Sequence, residues 1–159
     1  MTDVAKVLAE PLAQKLLREV PTLSLSYVGR DGGPRGIPIA YLWDGTSIRM
    51  WTVPGAAKVA ALRAEPRVSL AVDVEGFPPK LLLIRGRAGL TDVEGVPDGY
   101  LQASHRTMPQ EGWDDFDAQV RSLYEKMVAI VVTPTWARLI DFETTLPRAV
   151  EAIAARRAT

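Results

Sequence analysis

Lys58 stands just past Pro54 and Gly55, in a run of helix formers, AAKVAALRA. A helix starting there presents backbone N–H groups without partners, and a lysine in its first turn adds a full positive charge. That combination suits a phosphate. Thr52 lies six positions upstream, across the Pro-Gly turn, where a hydroxyl can face the same anion. Each residue also has a plainer reading, Lys58 as an exposed helix lysine and Thr52 as the end of a strand. The leading expectation is a phosphate-bearing cofactor held against a small β-barrel.

Other residues with chemical potential are few. The chain of 159 residues has no cysteine and one histidine, His105. Thiolate nucleophiles, disulfides and multi-histidine metal sites within one chain are therefore excluded. His105, in SHRTMP, reads as a surface histidine, with haem ligation as the minority reading. Arg35 follows a Gly-Gly-Pro turn and is either solvated or a second charge for the phosphate. Arg85 and Arg87 are two apart on one strand and so share a face. Lys plus Arg number 19 and Asp plus Glu number 19, so the net charge is zero. That argues against nucleic acid or an anionic membrane surface as the main partner. No apolar run approaches the roughly 20 residues of a membrane span, and no secretory signal is visible, so a cytoplasmic protein is expected.

The elements that must position these residues follow from the hydrophobic pattern. One domain over 1–159 is expected, with 47% hydrophobic residues to build its core. Residues 1–20 read as an N-terminal helix that Pro11 kinks or restarts. Strands are expected over 22–28, 36–43, 47–53, 67–74 and 81–90. Asp44-Gly45 marks a hairpin, and Pro54–Ala64 a short helix. Residues 91–126 form a mostly helical insert, and 127–132 and 135–142 are two strands broken by Pro134. Residues 146–159 close the chain as a helix. Strands that arrive mostly as hairpins imply a mainly β fold with peripheral helices, a six- to seven-stranded antiparallel barrel.

The ordered set Pro38, Tyr41-Leu42-Trp43-Asp44-Gly45, Trp51-Thr52, Gly55, Lys58, Leu62 and Pro66-Arg67-Val68-Ser69-Leu70, with Gly86-Arg87-Ala88 later, carries a resemblance. Over roughly residues 15 to 142 the chain resembles the split-barrel flavin-binding family of pyridoxamine 5'-phosphate oxidase, especially its flavin and deazaflavin oxidoreductase branch. The resemblance implies a split β-barrel and a homodimer with cofactor sites at the subunit interface. It implies that Arg35, Gly36, Ile37 and Pro38 lie along the cofactor. It also implies that Trp51 and Thr52 approach the ribityl and phosphate end, and that Lys58 pairs with the phosphate. Many members carry one or two arginines just before the lysine; Ala56 and Ala57 stand there in this chain, so the anion clamp is thinned.

The cofactor the resemblance implies is FMN, with the deazaflavin F-420 as the alternative and haem as the least favoured. The activity it implies is hydride or electron transfer to a small organic acceptor. No general acid or base is evident in the matching segment. Trp136 and Asp141 on the last strands are weaker candidates to reach a partner's cofactor. A non-catalytic dimer that carries flavin or haem, and a structural dimer whose site has decayed, are the competing expectations.

Overall fold

The computed structural model describes residues 2–158. Two of the expected spans, 1–20 and 146–159, begin or end on a residue outside that range. Pro11 does divide the N-terminal segment, giving α1 (Asp3–Ala9) and α2 (Pro11–Glu19). Pro11 occupies the first helical turn of α2, where its missing N–H costs nothing. Leu8, Ala13, Leu16 and Leu17 form the buried stripe of the pair.

Seven strands follow: β1 (Thr22–Val28), β2 (Pro34–Ala40), β3 (Leu42–Trp43), β4 (Ile48–Thr52), β5 (Arg67–Val74), β6 (Lys80–Glu94) and β7 (Lys126–Asp141). They make one antiparallel sheet in the order β2-β1-β5-β6-β7-β4-β3. Leu23 and Leu25 point inward from β1 while Thr22, Ser24 and Ser26 point out, the alternation of a half-buried strand. Leu70, Val72, Leu82, Ile84, Ile130 and Val132 join them in the core, which α1 and α2 cover. Each fully buried aliphatic side chain contributes about 1.5–3 kcal/mol.

The two edge strands of this sheet, β2 and β3, are neighbours in sequence, separated only by Tyr41. Successive Cα atoms are about 3.8 Å apart. The sheet must therefore curl until its edges meet at Tyr41. It does not close by hydrogen bonding, because β2 pairs with β1 alone and β3 with β4 alone. The architecture is the expected mainly β split barrel with peripheral helices.

Tyr41 is fully buried at the seam, and its hydroxyl donates to the Leu17 carbonyl at 3.1 Å. Arg106 holds the same point from outside. Its guanidinium donates to the Tyr41 carbonyl, and to the Leu17, Arg18 and Val20 carbonyls at 3.0–3.1 Å. It also lies 4.9 Å from the centre of the Tyr41 ring. One side chain thus ties the end of α2 to the seam.

Three local expectations are corrected. The strand expected to end at 90 runs to Glu94, because β7 pairs with it all the way from Thr91–Ala129 to Glu94–Lys126. Pro134 does not break the last strand in two. Arg85 faces Trp136 and Gly86 faces Pro134, so Thr135 is an extra, bulged residue. A bulge tolerates a proline without an N–H. Gly86 is required there, since a Cβ would run into the Thr133 carbonyl. Finally, the helix after β4, α3, spans Ala57–Ala64, and Pro54 and Gly55 form the turn that precedes it.

The insert is a helical pair, α4 (Asp98–His105) and α5 (Trp113–Leu123), joined by a 3-10 turn at Gln110–Gly112. The last helix, α6, spans Arg148–Arg157. Among the described residues no helix is long and apolar enough to cross a membrane.

Candidate functional site

Thr52 is the last residue of β4 and is held there by pairing with Val128 of β7. Its residue is buried, at 9% exposure. The chain then turns through Val53–Ala56, where the Ala56 N–H closes on the Val53 carbonyl at 3.1 Å. This turn starts α3 and returns Lys58 over the end of β4. The Lys58 ammonium donates to the Thr52 hydroxyl oxygen at 3.3 Å. The hydroxyl keeps its own proton to donate elsewhere.

Lys58 is half-buried, and burial alone lowers its pKa below the ordinary lysine value. A carboxylate beside it would raise the pKa; none does so. The ammonium is thus desolvated without a counter-charge among the described residues. No side chain caps the start of α3, whose N-cap residue is Ala56. Three donors converge on one end of the barrel: an ammonium, a hydroxyl and a helix N-terminus. Their shared complement is an anion with several acceptor oxygens, such as a phosphate.

The split in the barrel opens beside this point. Leu42 pairs with Arg49 and Trp43 with Ile48. Continued backwards, that register sets Ala40 across from Trp51 and Ile39 across from Thr52, where no strand pairing is made. Ala40 and Leu42 do pack against the cluster that contains Trp51. The edge of β2 that β1 leaves unpaired therefore parts from β4 beside Trp51 and Thr52. This split between β2 and β4 is the candidate cleft, and the Thr52–Lys58 pair lies beside it.

The remaining sequence candidates separate. Trp51 is 8% exposed and packs with Ala103, Met127 and Ala129 under α4. Gly99 makes that packing possible, because a Cβ there would enter the indole ring. Trp51 thus anchors the insert on β4. Arg35 is exposed, and its guanidinium pairs with Asp31 at 2.9 Å within the β1–β2 turn. That pairing lowers the Asp31 pKa and raises that of Arg35. Pro38 is exposed on β2 and faces a groove beside Ser24 and Asp73.

Arg85 and Arg87 are both exposed on one face, as expected, and the Arg85 guanidinium lies 4.2 Å from the Trp136 ring centre. Asp141 is buried and accepts from the Glu143 N–H and the Thr144 hydroxyl, a turn-forming role. His105 is half-buried, with Nε2 2.6 Å from an Asp117 oxygen and its ring stacked on Trp113 at 4.4 Å. It ties α4 to α5. A separate cavity of about 610 Å³ lies between α1 and the β3–β4 turn, lined by Val4, Leu8, Trp43 and Pro134. Among the described residues no cation lines it, so it does not match the anion chemistry of Lys58.

Sequence reasoning missed Arg106 and Gly99. Arg106 follows directly on His105, and nothing in the local pattern marks it as a seam residue. Gly99 carries no signal of its own, because Pro97-Asp98-Gly99 reads as a turn in sequence.

A family model described as pyridoxamine 5'-phosphate oxidase matches residues 9–141. No curated protein matches the chain. An F420 reductase of known structure is 25% identical, with a TM-score of 0.60, over 79% of this chain and 94% of that one. A conserved hypothetical protein from Mycobacterium tuberculosis is 18% identical, with a TM-score of 0.59, over 89% of this chain and 90% of that one. HutZ, the haem storage protein of Vibrio cholerae, is 17% identical, with a TM-score of 0.59, over 81% of this chain and 92% of that one. The last two likenesses concern the fold alone.

Proposed function

The chain belongs to the pyridoxamine 5'-phosphate oxidase family, and from that premise we propose that it is an FMN-binding oxidoreductase acting on a small organic acceptor. The observation that carries this reading is Lys58, a half-buried ammonium on the Thr52 hydroxyl with no carboxylate among the described residues to neutralise it. A phosphate supplies the missing charge. The donor set fits: Lys58 and Thr52 hold the phosphate with the first turn of α3, and the free edge of β2 from Arg35 to Ile37 borders the rest of the cofactor. In a homodimer of the kind common in the family, a second copy would cover the split between β2 and β4.

When bound, the flavin ring supplies hydride transfer. The side chains around the cleft bind and orient. Thr52, Trp51, Ile37 and Arg35 do not titrate near neutrality. Trp51 acts indirectly, by fixing α4 on β4 beside the phosphate end. The bulk of the insert is the part of the chain best placed to set the shape of the acceptor.

A second reading replaces FMN by the deazaflavin F-420. The likeness to an F420 reductase favours it, as does the absence of arginine at Ala56 and Ala57. Both cofactors carry a phosphate for Lys58. The test is a titration of the protein with each, followed by cofactor absorption and fluorescence. Saturable binding with a shifted spectrum by one of them is the expected result. Binding of neither overturns the reading, and a Soret band on adding haem instead moves the chain to a haem-carrying role.

A further inference from the structure

The helix α6 buries none of its residues. Val150 is 39% and Ile153 is 55% exposed, and with Ala154 they form an i, i+3, i+4 apolar stripe. A ten-residue helix is too short to hold itself together in water. Among the described residues, its own chain buries none of it. Its charges are those of Arg148, Glu151, Arg156 and Arg157, three positive and one negative, a net +2.

A groove of about 400 Å³ lies where α2, β1 and β5 come together. Val20, Pro21 and Val74 supply apolar lining, and Glu19, Asp73 and Glu75 supply three negative charges. Val74 is 44% exposed. The groove therefore offers negative charge opposite in sign to Arg148 and Arg157 and apolar surface for Val150 and Ile153.

The two features lie at the same end of the sheet. Val74 pairs with Lys80, and Lys80 pairs with Asp141, just before α6. Asp141, seven residues before α6, and Val74 on the rim of the groove are thus two strand spacings apart, about 10 Å. The connection between Asp141 and α6 is pinned. The Asp141 carboxylate accepts from the Glu143 N–H at 3.0 Å and the Thr144 hydroxyl at 3.2 Å, and Arg138 donates to the Leu146 carbonyl at 3.3 Å. This connection leaves α6 outside the groove of its own chain. An isologous exchange between two copies, each helix in the other's groove, satisfies both helices at once.

We propose that α6 docks in the acidic groove of a second copy, with Val150 and Ile153 against Val74, and with Arg148 and Arg157 among Glu19, Asp73 and Glu75. The proposal rests on the two-copy part of the functional reading and not on the cofactor. Thr52 and Lys58 lie at the opposite end of the sheet, beside Val128.

The chain has no cysteine, so crosslinking is clean. One tagged copy carries Val74→Cys and a differently tagged copy carries Ile153→Cys. Co-expressed and mildly oxidised, they are expected to give a disulfide-linked pair containing both tags. In a second measurement, Asp73→Arg with Glu75→Arg weakens self-association at least tenfold, and adding Arg148→Glu with Arg157→Glu restores it. A single chain carrying both cysteines that closes on itself as a monomer overturns the proposal. So does a particle that light scattering shows to be a dimer but that does not crosslink. A monomer overturns it together with the two-copy reading, while the FMN titration reports separately on Lys58.

Discussion

Replacing Lys58 by methionine separates binding from folding, because the two respond in opposite directions. The ammonium is half-buried and lacks a carboxylate, and its one hydrogen bond is to the Thr52 hydroxyl. Removing the charge ends a desolvation cost, and the methionine stem keeps the packing. Stability is therefore expected to hold or rise slightly. Binding of FMN is expected to fall. A charge-assisted hydrogen bond contributes about 1.5–3 kcal/mol. Lys58 keeps part of its exposure, so the lower half of that range applies, about 1.5–2 kcal/mol. At 1.36 kcal/mol per tenfold, this is roughly a 10- to 30-fold weaker Kd.

The assay is quenching of flavin fluorescence, with riboflavin run beside FMN. Riboflavin has the same ring and no phosphate. Its affinity is expected to be the same for the variant and the parent chain. Thr52→Val should show the same selectivity with a smaller loss, about fivefold, since a neutral hydrogen bond contributes about 1 kcal/mol. Equal losses for FMN and riboflavin would mean that Lys58 shapes the cleft instead of binding phosphate. Unchanged FMN binding would refute the assignment of Lys58 outright.

Three further outcomes follow from the same geometry. FMN affinity should depend on alkaline pH: binding uses the protonated amine, whose pKa burial holds below 10.5, so affinity is full below that lowered value and declines as pH rises through it. Titrations between pH 7 and 10.5 test this, and the decline should vanish in Lys58→Met. Arg106→Ala removes four hydrogen bonds to carbonyls of α2 and the seam; part of each is recovered from water, leaving a loss of about 3 kcal/mol and a Tm lower by roughly 9 °C in thermal melts. Lysine at 106 should recover little, because it cannot reproduce the planar fork. Gly99→Ala sets a Cβ against the Trp51 ring and should destabilise by about 1–3 kcal/mol in denaturant unfolding; an unchanged midpoint would show that α4 moves freely over β4.

Elements set by local chemistry were legible in the sequence. The strand over Thr22–Val28 and the one over Arg67–Val74 have their predicted bounds, since Leu, Val and polar residues alternate there and Gly or Pro stands just beyond each end. Pro11 marked the break between α1 and α2 for the same local reason. Features set by distant partners were not legible. The strand β6 continues past Leu90 only because β7 lies beside it, and Pro134 sits within a strand only because Gly86 opposite permits the bulge. The seam at Tyr41 depends on Arg106, 65 positions away. Lys58 and Thr52 were found as a pair because a Pro-Gly turn links them locally. Sequence could not reveal that Lys58 lacks a counter-charge, which depends on every chain segment around it.

That missing counter-charge also bears on whether the site is still in use. Two alanines stand where many family members have arginine, which reads at first as decay. A site free of selection for anions has simple routes out of a desolvated ammonium. The lysine can swing into water, or a nearby position can become acidic and neutralise it. This chain shows neither, and the Thr52 hydroxyl is held against the ammonium at 3.3 Å by the pairing of β4 with β7. The start of α3 likewise has alanine as its cap, where serine, threonine, asparagine or aspartate would stabilise the helix by about 1 kcal/mol. Such a cap would occupy the N–H groups that an anion needs. A lysine left partly dry and a helix left uncapped are two separate costs in stability, and both fall on the same few residues. An anion bound there offsets them together, which supports retained phosphate binding over a decayed site.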